Sequence, residues 1–333
     1  MLGPYQIPHL VRYFDGIDLA VSRRMLRAAP PSEPTLTEEF CALMDAQTQR
    51  RERSLDFDSD ALTQALTRHG SFVDVDFSIE VHRHSPAMEA YVSQADFGLV
   101  LEYQNTVYPS YGWTAAYLMQ AKRLFATSSG YSVYSRFGST DADQHVRIRA
   151  LARVLGEEAL KYCLYCPPTS GYDARSIGAL RTLHETNLAD HIFDYAAGLA
   201  LHAQIQRTGG VESGMWVAGT HNEPANAAGV HADAFRGSWP LTWFIVQHFA
   251  PHGRFAQGKV SWNEDPSEDT ARVKDIATGD STAVEALIDE LGDEMRDTIG
   301  SGKHFRVLPG SSVTVRIRVG PAEGLDLPLE VPV

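Results

Sequence analysis

Between residues 72 and 166 the chain offers four β-runs interrupted by one helix, and this block constrains the fold more than any other feature. Phe72–Val81 alternates apolar and polar residues between Gly70 and Pro86. Asp96–Tyr103 and Trp113–Lys122 are rich in β-formers, with residues 104–110 as a connecting loop. Asp143–Glu158 then carries Val146, Ile148, Leu151, Val154 and Leu155 on one side, the spacing of an amphipathic helix. Leu160–Cys166 is a further strand, stopped by Pro167-Pro168. Upstream, the breaker run Ala29-Pro30-Pro31-Ser32 precedes an apolar spacing that predicts a helix over Thr35–Arg53, and a short helix is expected over Asp60–Thr67. The order is helix, strand, strand, strand, helix, strand, which makes the fold class α/β. Beyond residue 172 the pattern predicts a helix near Leu188–Gln206, a Trp/Phe-rich segment Trp239–Phe249, an acidic helix Ser281–Ile299 and a last strand Val313–Val319. We therefore expect an N-terminal extension (1–32), a core (33–172) and an α+β C-terminal extension (173–333), without internal repeats.

Composition excludes several classes. Apolar residues make up 44% and charged residues 21%, as in a globular chain. Three cysteines in 333 residues fit a reducing compartment rather than a disulfide scaffold. No run reaches the ~18 apolar residues of a membrane span, and no signal peptide is read at the N-terminus. The expectation is a cytoplasmic protein without a membrane partner. The formal charge of −13 repels phosphate backbones, so any nucleic-acid activity needs a local basic patch, a metal ion or a partner.

Two polar residues stand out on the third strand. Gln120 and Lys122 share a face of an otherwise apolar run, and alternate residues Asp96, Gly98 and Val100 share a face of the strand before it. A buried Lys and a buried Gln each cost several kcal/mol unless partnered. A carboxylate and a cation on the neighbouring strand satisfy both.

With Asp on the second strand and Gln120-Ala121-Lys122 on the third, residues 33–168 resemble the restriction-endonuclease-like, or PD-(D/E)xK, nuclease superfamily in its Gln-type variant. The string Leu118–Leu124 is similar to those in bacterial restriction and phage-defence proteins. The resemblance implies a mixed central sheet, metal-dependent hydrolysis of phosphodiester bonds in DNA in preference to RNA, and a role as effector or subunit of bacterial antiviral defence. It implies Mg²⁺ or Mn²⁺ as cofactor, held by Asp96, a helix Glu and the Gln120 side-chain carbonyl or Ala121 backbone carbonyl. Lys122 would orient water or stabilise charge. For the helix carboxylate, Glu33 and Glu39 remain alternatives. Gln replaces the family's acidic third-strand residue and removes one negative charge, which leaves open a non-catalytic interaction or scaffold protein with a degenerate site.

Residues 121–161 hold seven bases against four acids, net +3. Arg123, Arg136, Gln144, Arg147 and Arg149 are the candidate nucleic-acid contacts. Residues 261–300 hold twelve acids against three bases, net −9. They read as a solvated surface, with a cover for the basic groove or a seat for a basic partner as the sharper alternative. The conflict of charge predicts a protein partner or homo-oligomer. His82 and His84 share a strand face and are the alternative zinc-hydrolase pair, with His221, Glu223, His231 and Asp233 as further donors. Cys163 and Cys166 read as core thiols. P-loop, dinucleotide-binding and nucleophile-elbow motifs are absent from the sequence.

Overall fold

A computed structural model describes residues 2–52, 55–68, 73–84, 95–138, 142–189, 195–220, 223–250, 268–299 and 309–321. In chain order the helices are α1 (Ile7–Ser22), α2 (Glu33–Met44), α3 (Ala46–Glu52), α4 (Ser59–Arg68), α5 (Ala142–Leu155), α6 (Ala174–Ala189), α7 (Tyr195–Thr208), α8 (Ala227–Ala232), α9 (Leu241–Phe249), α10 (Glu268–Thr278) and α11 (Ser281–Ile299). The strands are β1 (Val73–Arg83), β2 (Phe97–Asn105), β3 (Trp113–Arg123), β4 (Leu160–Tyr165), β5 (Met215–Gly219), β6 (Ser238–Pro240) and β7 (Ser311–Pro321).

The protein is α/β, and the described residues form a seven-stranded mixed sheet in the order β1-β7-β2-β3-β4-β5-β6. β2 and β3 pair antiparallel, and β3 and β4 pair parallel across the α5 crossover. β7 lies between β1 and β2, antiparallel to the first and parallel to the second. The sheet thus draws strands from both sides of residue 172, where the sequence pattern suggested that a core ends. Periodicity reports which face a strand buries, not its neighbours, so the insertion of a distant strand leaves no local mark.

The register of β7 is fixed by charge as well as by apolar alternation. Glu102 on β2 lies opposite Arg316 on β7. Its buried carboxylate accepts from Arg316 Nε at 2.7 Å and pairs with Lys274 Nζ of α10 at 2.7 Å. Arg316 also reaches Glu80 on β1 at 2.8 Å. Burial pushes the Glu102 carboxyl up, and the hydrogen bonds from Lys274 and Arg316 outweigh it and hold it below the usual carboxylate range. A slip of one residue would turn every side chain of β7 over and strand a buried charge.

The odd-numbered residues of β2 and β3 face α2 and α9. Phe97 packs on Phe40, Trp113 on Phe249, and Tyr117 Oη meets His248 Nε2 at 2.8 Å. The even-numbered face is covered by α10 and α5. Gly98 permits the close approach of α10, since a Cβ there would lie 2.5 Å from the Ala277 carbonyl oxygen.

Several elements differ from expectation. The helix expected over 35–53 is two helices, because Asp45 leaves the helical conformation and its carboxylate accepts from the Thr48 N–H at 2.8 Å to cap α3. The N-terminal segment contains α1, whose Ile7, Leu10, Phe14 and Ile17 are buried. Asp18 of α1 accepts from Gly214 N and Met215 N at 3.0 Å each, fastening the helix to the start of β5. The helix expected near 188–206 falls on the end of α6 and on α7, with 190–194 outside the described residues. Trp239–Phe249 spans β6 and the wholly buried α9. No helix among the described residues is long and apolar enough to cross a membrane.

Candidate functional site

The site forms where β2 begins and β3 ends. The ladder ends at the Phe97–Met119 pair, and Asp96, one residue before it, donates its N–H to the Met119 carbonyl at 2.8 Å. The Asp96 side chain reaches across to the end of β3. Its Oδ2 accepts from Gln120 Nε2 at 2.6 Å and from the Ala121 N–H at 2.7 Å. Gln120 Nε2 also donates to the Ala121 carbonyl at 3.1 Å. Gln120 thus turns its amide nitrogen, not its carbonyl, toward Asp96. The sequence reading that gives its carbonyl to a metal requires the amide to rotate. The Ala121 carbonyl, the other candidate ligand, has one lone pair engaged by the same amide.

Glu33 reaches the site from the first turn of α2. Ser32 caps that helix, accepting from the Thr35 N–H. Glu33 Oε2 accepts from the Arg123 backbone N–H at 2.9 Å, just beyond Lys122. Arg123 fixes the approach from the other side: its Nη1 donates to the Pro30 and Pro31 carbonyls at 3.1 and 2.6 Å, and its guanidinium lies 4.2 Å from the Phe125 ring centre. The breaker run is thus the segment that the strand end grips, and it delivers Glu33.

The electrostatics tie these groups together. Burial and then the negative charge of Asp96 push the Glu33 carboxyl from 4.5 up to about 7, while Lys122 and the Arg123 N–H pull it down. Lys122 is buried, at 6% exposure, on the same face as Gln120. The structure thus brings together Glu33, Asp96, Gln120 and Lys122.

Glu39 stands apart from this group. It lies within 2.9 Å of Arg24 Nε, so of the two helix acids Glu33 is the one beside Asp96. Arg123 is engaged by two carbonyls and a ring. Arg136 and Arg149 are exposed. Gln144 and Arg147 lie on α5, and their side chains are outside the described residues. Lys161 is buried and paired with Glu158 at 2.6 Å, which removes it from the basic stretch.

Sequence reasoning missed a neighbour. Gln120 pairs with Tyr162 on β4, so the polar row continues one strand further. The Tyr162 hydroxyl is 3.4 Å from Glu223 Oε2, and burial, then Glu223, raises its pKa. The only available signal was the parallel register of β3 and β4, which strand patterns alone do not give.

The histidines are dispersed. His82 is exposed at the end of β1, and His84 lies against α10, where a Cβ on Gly279 would meet its ring. His231 sits near β5, its Nδ1 2.7 Å from His184 Nε2 in a pocket with Trp216. β1 and β5 are five strand spacings apart, about 24 Å. His221 lies outside the described residues. Among the described residues no group of three or more His, Cys, Asp or Glu side chains converges. All three cysteines are free and buried.

Comparisons with family models, curated proteins and solved structures gave no match.

Proposed function

We propose that the chain is a divalent-metal-dependent nuclease with a restriction-endonuclease-like core. The observation that carries this reading is the meeting of two carboxylates and a buried lysine, Glu33, Asp96 and Lys122, at the end of β3, with Glu33 pushed up to about 7. The order α2-β1-β2-β3-α5-β4 supports it, as do the antiparallel β2/β3 and parallel β3/β4 pairings. β7 lies between β1 and β2, so the first two strands of this order are not neighbours in the sheet.

The donor set fits a hard cation. Glu33, whose proton affinity is raised by burial and by Asp96, is relieved by a divalent ion, and oxygen donors suit Mg²⁺ or Mn²⁺. Glu33 and Asp96 would hold it, with Gln120 able to present its carbonyl after rotation. When bound, such an ion supplies Lewis-acid stabilisation of the phosphate and a more acidic water. The chain's own contribution is positional. Asp96 is locked by the Gln120 amide and the Ala121 N–H, Glu33 by the Arg123 N–H, and Lys122 places a positive charge where the phosphate gains negative charge. In hydrolysis, water oxygen bonds to phosphorus, the ester P–O bond breaks, and a phosphomonoester and a hydroxyl result.

DNA is the proposed substrate, and a role in bacterial phage defence follows from the sequence resemblance. With a charge of −13, the isolated protein should cut weakly and need a partner or self-assembly. The competing reading, a non-catalytic scaffold with a degenerate site, is favoured by one observation: Gln120 spends its amide on Asp96 and Ala121. One assay separates the two. Purified protein is incubated with supercoiled plasmid, single-stranded DNA and RNA, with Mg²⁺ or Mn²⁺. Cleavage lost in Lys122→Ala and Asp96→Asn supports the nuclease. Absence of cleavage of every substrate by protein that also gains no stability from either metal supports the scaffold.

A further inference from the structure

Arg23–Leu26 forms a 3₁₀ turn after α1, and Arg27 leads from it toward the Pro30-Pro31 run. The three arginines of this segment, Arg23, Arg24 and Arg27, line an open cavity of about 330 Å³ with Ala20 and Leu43. The Glu39 carboxylate holds Arg24 in the wall at 2.9 Å. Arg23 and Arg27 are exposed and make no ion pair among the described residues. Three guanidiniums against one carboxylate leave a local surplus of two positive charges in a chain of net −13. Planar guanidinium forks match the paired oxygens of a phosphate, and Ala20 and Leu43 supply the apolar part of the lining.

This turn is mechanically joined to the candidate site. The Met25 carbonyl accepts from Tyr131 Oη at 3.2 Å, and the Pro30 and Pro31 carbonyls accept from Arg123. Six residues separate Arg27 from Glu33, a reach of at most about 20 Å. At about 3.4 Å of rise per phosphate, that is no more than about six nucleotides of one strand. The basic stretch 121–161 is a poorer phosphate track. Arg123 and Lys161 are already engaged, and α11, which carries six acids and one base, packs against α5.

We infer that the cavity of Arg23, Arg24 and Arg27 binds backbone phosphate of the nucleic-acid strand a few nucleotides from Glu33 and Asp96. This rests on the nuclease reading for its ligand, but binding is measured without cleavage.

The test uses the full chain in EDTA with a fluorescein-labelled 20-nucleotide DNA strand and the matching duplex, followed by anisotropy from 50 to 200 mM salt. Arg23→Ala/Arg27→Ala should lose about tenfold or more in affinity. Its slope of log K against log salt should be shallower by about 1.4 for the single strand or about 1.8 for the duplex, two phosphate contacts. Arg23→Lys/Arg27→Lys keeps the charge and should keep the slope. Thermal midpoints matching wild type show that the fold is retained, and if the alanine pair unfolds, Arg23→Gln/Arg27→Gln, which removes the charge but keeps a long polar side chain, is measured in its place with the same expected losses. Unchanged affinity and slope in the alanine pair overturns the proposal, as does absence of oligonucleotide binding by wild type. Inositol hexakisphosphate is the competitor arm: arginine-dependent binding of it without oligonucleotide binding assigns the cavity to a small polyphosphate and also overturns the proposal. Arginine-dependent DNA binding without metal-dependent cleavage upholds the cavity and defeats the nuclease reading. Cleavage with unchanged kcat/KM and unchanged binding in the alanine pair does the reverse.

Discussion

Replacing Glu33 with Gln should stabilise the protein and abolish its activity together. In the folded chain the Glu33 carboxyl titrates at about 7, against 4.5 as its ordinary value, because it is buried beside Asp96. A raised acid pKa means that the folded state holds a proton which the unfolded state has released. Stability is therefore lost as pH rises from about 4.5 to about 7 and is flat above that. Two and a half pH units at about 1.36 kcal/mol each give an upper bound of about 3.4 kcal/mol. Glu33 is only partly buried, and its charge favours the N-terminus of α2, so about 1–3 kcal/mol is expected. The substituted glutamine keeps an oxygen to accept the Arg123 N–H, so the link to β3 survives. Other titrating groups, such as Asp18 and the buried histidines, are common to both proteins and cancel in the difference. Urea denaturation from pH 4.5 to 8.5 reads it: equal stability near pH 4.5, and the variant ahead by about 1–3 kcal/mol at pH 8, or roughly 1–4 °C in Tm for a chain this long. Mg²⁺ should narrow the gap by raising only wild type, by about 1.4 kcal/mol at ten times Kd. A variant no more stable than wild type at pH 8, or a difference independent of pH, refutes the reasoning.

Further outcomes follow from the same geometry. Lys122→Ala should cut metal-dependent cleavage by about 10²-fold or more while metal binding persists, and it should raise the Glu33 pKa, read by carboxyl NMR titration. Arg123→Ala should cost about 1–3 kcal/mol by releasing the Pro30 and Pro31 carbonyls and uncovering Phe125, and Arg123→Lys should restore only part of it; urea midpoints of the two variants measure this. Gly98→Ala drives a Cβ to 2.5 Å from the Ala277 oxygen, so α10 must shift, and loss of about 1–3 kcal/mol with faster amide exchange in α10 is expected. Burial lowers the His184 and His248 imidazoles to about 4, so their ring ¹⁵N shifts should stay constant from pH 8 to 5; a transition near pH 6.5 in either would contradict the packing.

Much of the sheet was legible from alternation and breakers, because strands and helices declare their buried faces locally. β2, β3, α5 and β4 fall within a few residues of expectation, and Gln120 and Lys122 were conspicuous as polar residues on a strand that buries both faces. The break at Asp45 was missed because a capping carboxylate resembles any other acid until the Thr48 N–H is seen to use it. The choice between Glu33 and Glu39 depended on where the chain enters α2, which Arg123 decides from ninety residues away. The neighbours of β7, and with them the pairing of Tyr162 and Gln120, are properties of register, and register is written across strands rather than along them.

The position of β7 also bears on the site itself. Asp96 stands immediately before β2, which is held on one edge by β3 and on the other by β7. The Gly310 N–H donates to the Asp96 carbonyl at 3.1 Å, so the approach to β7 continues the ladder up to the site residue. Further along, the Glu102 carboxylate is shared by Arg316 of β7 and Lys274 of α10. Without β7 the edge of β2 loses its ladder partner, and Glu102, buried at 3% exposure, loses one of its two cations. Such a loss is commonly worth about 3–5 kcal/mol, since a buried charge is left incompletely compensated. The backbone that aims the Asp96 carboxylate at Gln120 thus depends on a strand more than two hundred residues later in the chain, so a fragment ending near residue 172 would lack the partner edge and both cations of Glu102, Arg316 and Lys274.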